Sequence, residues 1–80
     1  MRDVFIDNKP VWVSSHAIKQ AEYRNIAFPD QIFDVLKTGK IEWFGKNNLK
    51  IIKKSRNGSI VCVGVDNGGV IVIKTIERGN

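Results

Sequence analysis

The chain has 80 residues, a hydrophobic content of 42% and a formal net charge of +5. This length and composition predict one globular domain with a modest core, and they exclude a disordered chain. A single cysteine excludes an internal disulfide, which fits a reducing cytosol. No apolar stretch approaches the roughly 18 residues of a membrane span, and Met1–Phe5 does not resemble a signal peptide. We therefore expect a cytoplasmic protein that does not contact a membrane.

The positive charge is concentrated in the second half of the chain. Residues 1–39 hold five basic and five acidic side chains, whereas residues 40–80 hold eight basic and three acidic ones. Such a field favours an anionic partner: a nucleic acid, such as RNA or the ribosome, an acidic protein or, less readily, a membrane surface. A net charge of this size is also common in small domains, where it serves solubility.

The first predicted elements are two short β-type runs, Val4–Ile6 and Pro10–Val13, on either side of Asp7-Asn8-Lys9. They predict an N-terminal β-hairpin, or one strand with an extended lead-in, added to the main sheet. Pro10 has no N–H to donate, so the second run should lie at a sheet edge or begin after the proline.

Two helices follow. Ser14 and Ser15 supply an N-cap, which predicts a first helix over about residues 16–25. Pro29 suits the start of a second helix, and Gly39 suits its end. Apolar residues mark the buried face of each helix: Ala17, Ile18 and Ala21 in the first, and Ile32, Phe33, Val35 and Leu36 in the second.

The remaining sequence is rich in β-branched and aromatic residues. It predicts four strands, Lys40–Phe44, Leu49–Lys54, Ser59–Val65 and Val70–Ile76. The turns between them are short, and two of them, Arg56-Asn57-Gly58 and Asp66-Asn67-Gly68-Gly69, contain Asn-Gly, so neighbouring strands should be antiparallel. The predicted fold class is α+β, with two helices packed on one face of a four-stranded antiparallel meander sheet and an N-terminal β-hairpin or strand addition.

The last two strands are apolar on both faces. Ile71 and Ile73 alternate with Val70 and Val72, and the preceding strand has the same pattern. We therefore expect these strands to be central, or one face to be covered by the N-terminal hairpin or by a second subunit in a homodimer.

His16 is the only histidine of the chain, and it lies where the first helix should begin. Metal-independent RNA cleavage needs an acid, a base and cations near the phosphate. His16 is the candidate acid or base, because histidine exchanges protons near neutral pH. It is also a normal exposed residue for a first helical turn. One histidine and one cysteine far apart do not form a zinc site, so we expect neither a metal nor a cofactor.

The candidate ligands of a nucleic acid are basic, hydroxyl and aromatic side chains in several of the predicted elements. Lys19 and Tyr23 share a helical stripe with His16, and Arg24 lies about 12 Å further along the axis by helical rise. Lys53 and Lys54 should point to opposite faces of their strand, so at most one of them faces a groove. The other candidates, grouped by chemistry, are Lys74 as a cation, Thr75 as a phosphate or sugar ligand, and Trp12 and Trp43 as stacking or packing residues.

The segment His16-Ala17-x-x-Gln20-x-x-Tyr23-Arg24-Asn25-Ile26, with the late strand Val72–Ile76, resembles a widespread family of small domains of unknown function. The family pattern is roughly His-Ala-x-x-Arg-x-x-x-Arg-x-Ile, and the family is placed beside the RelE/ParE-type toxins in a superfamily of nucleases. The resemblance covers residues 14–76 and implies a single RelE-like domain over residues 1–80. It implies a toxin-like endoribonuclease in which His16, Arg24 and Thr75 are catalytic, with an acidic antitoxin-like protein as partner.

Gln20 departs from the family pattern, because the family usually has an arginine at this position. The missing cation weakens the case for phosphate binding there. The sequence therefore predicts a metal-independent endoribonuclease or RNA-binding protein first. The alternatives are a non-catalytic module that binds nucleic acid or protein, and a homodimeric interaction domain.

Overall fold

A computed structural model describes residues 4–55 and 58–79. The elements in chain order are β1 (Phe5–Ile6), β2 (Lys9–Val13), α1 (Ser15–Tyr23), α2 (Asp30–Thr38), β3 (Lys40–Phe44), β4 (Asn48–Ser55), β5 (Gly58–Asp66) and β6 (Ile71–Gly79). The predicted turn at Arg56 and Asn57 lies outside the described residues.

Helix α1 begins where the sequence predicts it. Ser14 is the N-cap, and its side-chain oxygen accepts a hydrogen bond from the Ala17 N–H at 3.1 Å. This bond satisfies one of the N–H groups that a first helical turn leaves unpaired. Ala17 and Ala21 are fully buried. Because their side chains are small, the helix axis lies close to the sheet.

The sheet corrects the predicted architecture. It has six strands in the order β1-β2-β6-β5-β4-β3 and forms a half-barrel. Strands β3 to β6 pair antiparallel, but β2 lies parallel to β6, with Val11 opposite Ile71 and Val13 opposite Ile73. The predicted four-stranded antiparallel meander is therefore wrong: the sheet is mixed, and the N-terminal hairpin β1–β2 belongs to it. Short turns determine direction only between consecutive strands, and no such turn joins β2 to β6.

A β-bulge interrupts the pairing of β5 with β6. Gly64 is opposite Ile73, whereas its neighbour Val63 is opposite Thr75, so Lys74 is the extra residue. A Cβ atom at position 64 would lie 2.6 Å from the Val72 carbonyl oxygen. Glycine thus permits the close approach of the two backbones. The bulge also shifts the alternation of β6, because it places Ile76 rather than Thr75 on the buried side.

One face of the sheet holds the core. Both helices pack on this helix face, against a cluster of residues that are at most 1% exposed: Leu49, Ile51, Ile60, Cys62, Ile71, Ile73 and Ile76. Ile32, Val35 and Leu36 of α2 complete the cluster, as the sequence predicts.

The opposite face of the sheet carries no helix, and we call it the open face. Residues directly opposite each other in the register share a face. The register therefore gives four rows across the open face: Trp12, Val72, Val65, Asn48 and Phe44; then Thr75, Val63, Lys50 and Glu42; then Glu77, Val61, Ile52 and Lys40; then Gly79, Ser59 and Lys54. Within residues 4–55 and 58–79, no helix has the length and apolarity that crossing a membrane requires.

Candidate nucleic-acid interface

Helix α1 runs alongside β6 in the same direction. Two contacts fix this alignment: the Ser14 N–H donates to the Ile73 carbonyl at 3.0 Å, and the Ile76 N–H donates to Gln20 Oε1 at 3.0 Å. Six helical residues advance about 9 Å. Three strand residues advance about 10 Å, so the two elements stay in step.

Gln20 satisfies a backbone group at the edge of β6. Strand β2 pairs with β6 only as far as Ile73, and no other strand of residues 4–55 and 58–79 lies along this edge of β6 beyond Ile73. The Ile76 N–H is a donor on this edge, and the Gln20 side chain takes the place of a strand carbonyl. Arginine has donors only and cannot accept this hydrogen bond. The amide that departs from the family pattern therefore has a structural role in this chain.

Five candidate residues lie along this junction, over about 12 Å of helix from the first to the last of α1, and we call them the α1–β6 surface: His16, Lys19, Tyr23, Arg24 and Lys74. His16 lies one helical turn before Gln20, level with the bulge at Lys74. Arg24 lies one helical turn after Gln20, near the end of β6. His16, Lys19 and Lys74 are exposed, and Tyr23 is 86% exposed. Arg24 is half-buried at the C-cap of α1.

The cations of the α1–β6 surface are not neutralised locally. None of Lys19, Arg24 and Lys74 belongs to an ion pair in the part of the chain that the structure describes. Glu22 is the nearest acid in sequence to Lys19 and Arg24, and it lies on the flank of α1 away from Gln20. Glu77 is the nearest acid in sequence to Lys74, and it lies on the open face. Unpaired cations around an exposed tyrosine can bind a phosphate backbone and stack on a base.

Lys53, in contrast, is already bound to other side chains. Its ammonium group forms an ion pair with Asp34 and donates to the Thr38 hydroxyl at 2.7 Å. Both partners belong to α2, so Lys53 joins this helix to β4 on the helix face. Lys54 is exposed on the open face. As predicted, the two lysines point to opposite faces, and neither belongs to the α1–β6 surface.

The structure does not place the three residues of the implied catalytic set on one side of the sheet. His16 and Arg24 belong to α1, which packs on the helix face. Thr75 is opposite Val63 on the open face, because of the bulge at Lys74. A phosphate bound by His16 and Arg24 therefore does not lie on the face that carries Thr75.

Arg78 is a basic residue near this surface that the sequence does not single out. It is opposite Ile60, a core residue, so it lies on the helix face one position beyond Glu77. Its guanidinium donates to Ser55 Oγ at 3.4 Å. The sequence alone does not place Arg78 on the helix face. The bulge does so, because it shifts the alternation of β6 and puts residues 76 and 78 on that face.

The two tryptophans and the cysteine lie outside the α1–β6 surface. Trp12 is 65% exposed on the open face, and Trp43 is 47% exposed on the helix face of the edge strand β3. Cys62 is a buried core residue, and burial raises the pKa of its thiol to about 12. In the described part of the chain, no group of three metal-binding side chains occurs.

A shallow depression of about 460 Å³ lies at the β5–β6 turn and is lined by Lys9, Asn47, Val65, Asp66, Asn67 and Gly68. Its charged groups bind each other: Lys9 Nζ lies 2.6 Å from Asp66 Oδ2, and the Gly68 N–H donates to Asp66 Oδ1. These bonds lower the pKa of Asp66, the Lys9 bond most of all. The two charged side chains that line the depression thus hold the turn in place and are not free to bind a ligand.

Comparisons with known proteins identify no relative. No family model, curated protein or solved structure matches this chain.

Proposed function

We propose that this protein binds RNA through the α1–β6 surface and acts as a binding module. The observation that carries the proposal is that Lys19, Arg24 and Lys74 lie along one surface with the exposed Tyr23, and that none of the three belongs to an ion pair among the described residues. The choice of RNA over another polyanion rests on the resemblance of residues 14–76 to the RelE-like domain family.

The size of the surface sets the strength of binding. Three cations neutralise about three phosphates, which for single-stranded RNA gives a slope of log affinity against log salt of about −2. Binding that depends on so few backbone contacts has a dissociation constant on the order of 10⁻⁴ to 10⁻⁶ M at physiological salt. The protein should therefore hold RNA weakly and with little sequence preference.

Binding is favoured over cleavage because the surface supplies too few groups for acid–base chemistry. Cleavage needs both an acid and a base at the phosphate. His16 is the only imidazole of the chain, and Thr75 lies on the other face. Gln20, at the centre of the surface, is held by the Ile76 N–H and supplies no charge.

Metal-independent cleavage at His16 is the second candidate. The observation that favours it is the exposed imidazole level with Lys74, where a cation and a proton-transfer group would reach the same phosphate. In this mechanism Lys74 stabilises the phosphorane charge and water supplies the second proton transfer, because Arg24 lies about 12 Å further along the helix axis.

The test is fluorescence anisotropy with a labelled single-stranded RNA in EDTA, at several salt concentrations. Lys19→Met and Lys74→Met should each reduce the salt slope by about 0.7. Lys37→Met is the matched control, because Lys37 is an exposed lysine on α2, away from this surface. A control variant that loses as much affinity as Lys74→Met would refute the surface and leave only a general charge effect.

The same samples distinguish binding from cleavage. After incubation in EDTA, the RNA is separated on a denaturing gel. The binding proposal predicts intact RNA with the wild type. RNA cleaved by the wild type but not by His16→Ala would establish the second candidate instead.

A further inference from the structure

The open face of the sheet has apolar side chains on its central strand, where a solvated face would be polar. Its central column consists of Val61, Val63 and Val65 of β5, all only half-buried. Trp12 and Phe44 lie at the two ends of its first row and are 65% and 45% exposed. An antiparallel sheet with one face in water normally alternates apolar and polar residues. A large exposed apolar patch on a small domain marks a surface that another molecule covers.

The arrangement of the open face favours a protein over a nucleic acid. Sheets that bind single strands place aromatic side chains where successive bases stack on them. Here the aromatic residues lie at opposite margins, four strand spacings or about 19 Å apart. The middle of the face is aliphatic, and aliphatic side chains pack against other aliphatic side chains in the manner of a sheet sandwich.

We propose that the open face is the interface of a homodimer, in which two sheets pack face to face about a two-fold axis along β5. This inference uses residues outside the α1–β6 surface and goes beyond RNA binding. The molecule measures 32 × 28 × 21 Å. Its largest face therefore offers at most roughly 900 Å², close to the about 800 Å² per partner that a stable interface buries.

The register of the strands is self-complementary about this axis. A residue on β5 meets its own copy, so Val63 packs on Val63 of the second copy without any clash of charges. A residue on one side of β5 meets a residue of the second copy. That residue lies in the same row, equally far from β5 on its other side. The axis therefore brings Trp12, at the β2 end of the first row, against Phe44 of the second copy, at the β3 end.

Glu42 of the open face pairs with Lys40 and Lys50 of its own chain. Glu77 finds opposite charges across the same axis. Glu77 lies on the β6 side of β5, whereas Lys40 and Lys54 lie on the β4 and β3 side, in the same row and the next. The two-fold operation places Glu77 beside these two lysines of the second copy. Both helical layers then lie outside the sandwich, and each copy keeps its α1–β6 surface exposed.

Sedimentation velocity of the full chain, without RNA, at about 1 to 100 µM tests the proposal. The wild type should sediment as a species with twice the 9.0 kDa mass of the chain. Val63→Lys should weaken the dimer at least about thirtyfold, because it puts two charges on the axis. Ile41→Lys is the matched control on the other face of the sheet, where the side chain is 38% exposed, and it should remain dimeric.

A second pair of variants guards against misfolding of Val63→Lys. Trp12→Ala and Phe44→Ala remove exposed side chains, and each should weaken the dimer about tenfold. The double variant should lose less than the sum, because the two residues contact each other across the axis. A wild type that is monomeric at every concentration would overturn the proposal. A monomer whose RNA affinity falls with Trp12→Ala would assign the open face to RNA instead.

Discussion

Replacement of Gln20 by methionine isolates the contact that joins α1 to the sheet. Methionine has a similar shape and a similar helix propensity but no oxygen, so the Ile76 N–H loses its acceptor. A buried backbone donor without a partner costs about 1–3 kcal/mol. Because Gln20 is only half-buried, water compensates part of this loss. We therefore expect Gln20→Met to lower the free energy of unfolding by about 1–2 kcal/mol.

Thermal unfolding followed by circular dichroism, at one protein concentration, measures this effect. For a domain of this size a loss of 1–2 kcal/mol lowers the midpoint by roughly 5–15 °C. Gln20→Glu keeps an acceptor oxygen and should unfold within a few degrees of the wild type. Hydrogen exchange provides the local readout, since the Ile76 amide should lose protection in Gln20→Met. If Gln20→Met is as stable as the wild type and the Ile76 amide is still protected, the assigned role of Gln20 is wrong.

Three further predictions concern residues whose partners the structure identifies. Lys53→Met should leave RNA affinity unchanged and cost less than about 1 kcal/mol of stability, since its ion pair is largely exposed; an RNA affinity that falls as much as in Lys74→Met would contradict this. The pKa of Asp66 is lowered in the folded protein from 3.8 by the Lys9 bond, so its contribution to stability is present above pH 3.8 and is lost as the pH falls through the folded value. Acid titration of Asp66→Asn should therefore show a weaker loss of stability below this pH than the wild type, and equal losses would exclude the Lys9 bond as a cause. The buried Cys62 thiol, with a pKa of about 12, should not react with Ellman's reagent at pH 8 until urea unfolds the protein; rapid labelling of the native protein would contradict its burial.

Local signals in the sequence account for the elements and, within a residue, for where they begin. They miss two ends: α1 ends at Tyr23 rather than at residue 25, and β6 continues to Gly79 rather than ending at Ile76. Ser14 predicts the start of α1, because an N-cap needs only its own side chain and the next turn. The strand Lys40–Phe44 follows from its composition and from Gly39 before it. These features depend on contacts within a few residues, which is why pattern and propensity find them.

The topology of the sheet depends on contacts between distant segments and was predicted wrongly. A strict alternation from Ile71 and Ile73 onwards would put residue 75 on the same side of the sheet as these isoleucines. The bulge at Lys74 reverses this order, and the sequence carries no local mark of it apart from Gly64 on the neighbouring strand. The parallel pairing of β2 with β6 is likewise set by tertiary packing, since no turn connects them.

The candidate site was predicted in part for the same reason. Helical spacing groups His16, Lys19 and Tyr23 on one stripe, and the structure keeps this group. Lys53 was predicted as a phosphate ligand, but α2 supplies its partners from a distant segment. In the sequence, Gln20 is interpreted as the loss of a cation. The structure shows instead that its side-chain oxygen accepts a hydrogen bond from the Ile76 N–H at the edge of β6.

The proposed function requires that RNA binds at the α1–β6 surface. Titration of the ¹⁵N-labelled protein with single-stranded RNA, followed by two-dimensional NMR, tests this directly. We expect shifted amide signals over residues 15–24 of α1 and around Lys74 of β6, with those of α2 and β3 unchanged. Signals that shift mainly on the open face, around Trp12 and Val63, or that do not shift at all, would contradict the proposed function.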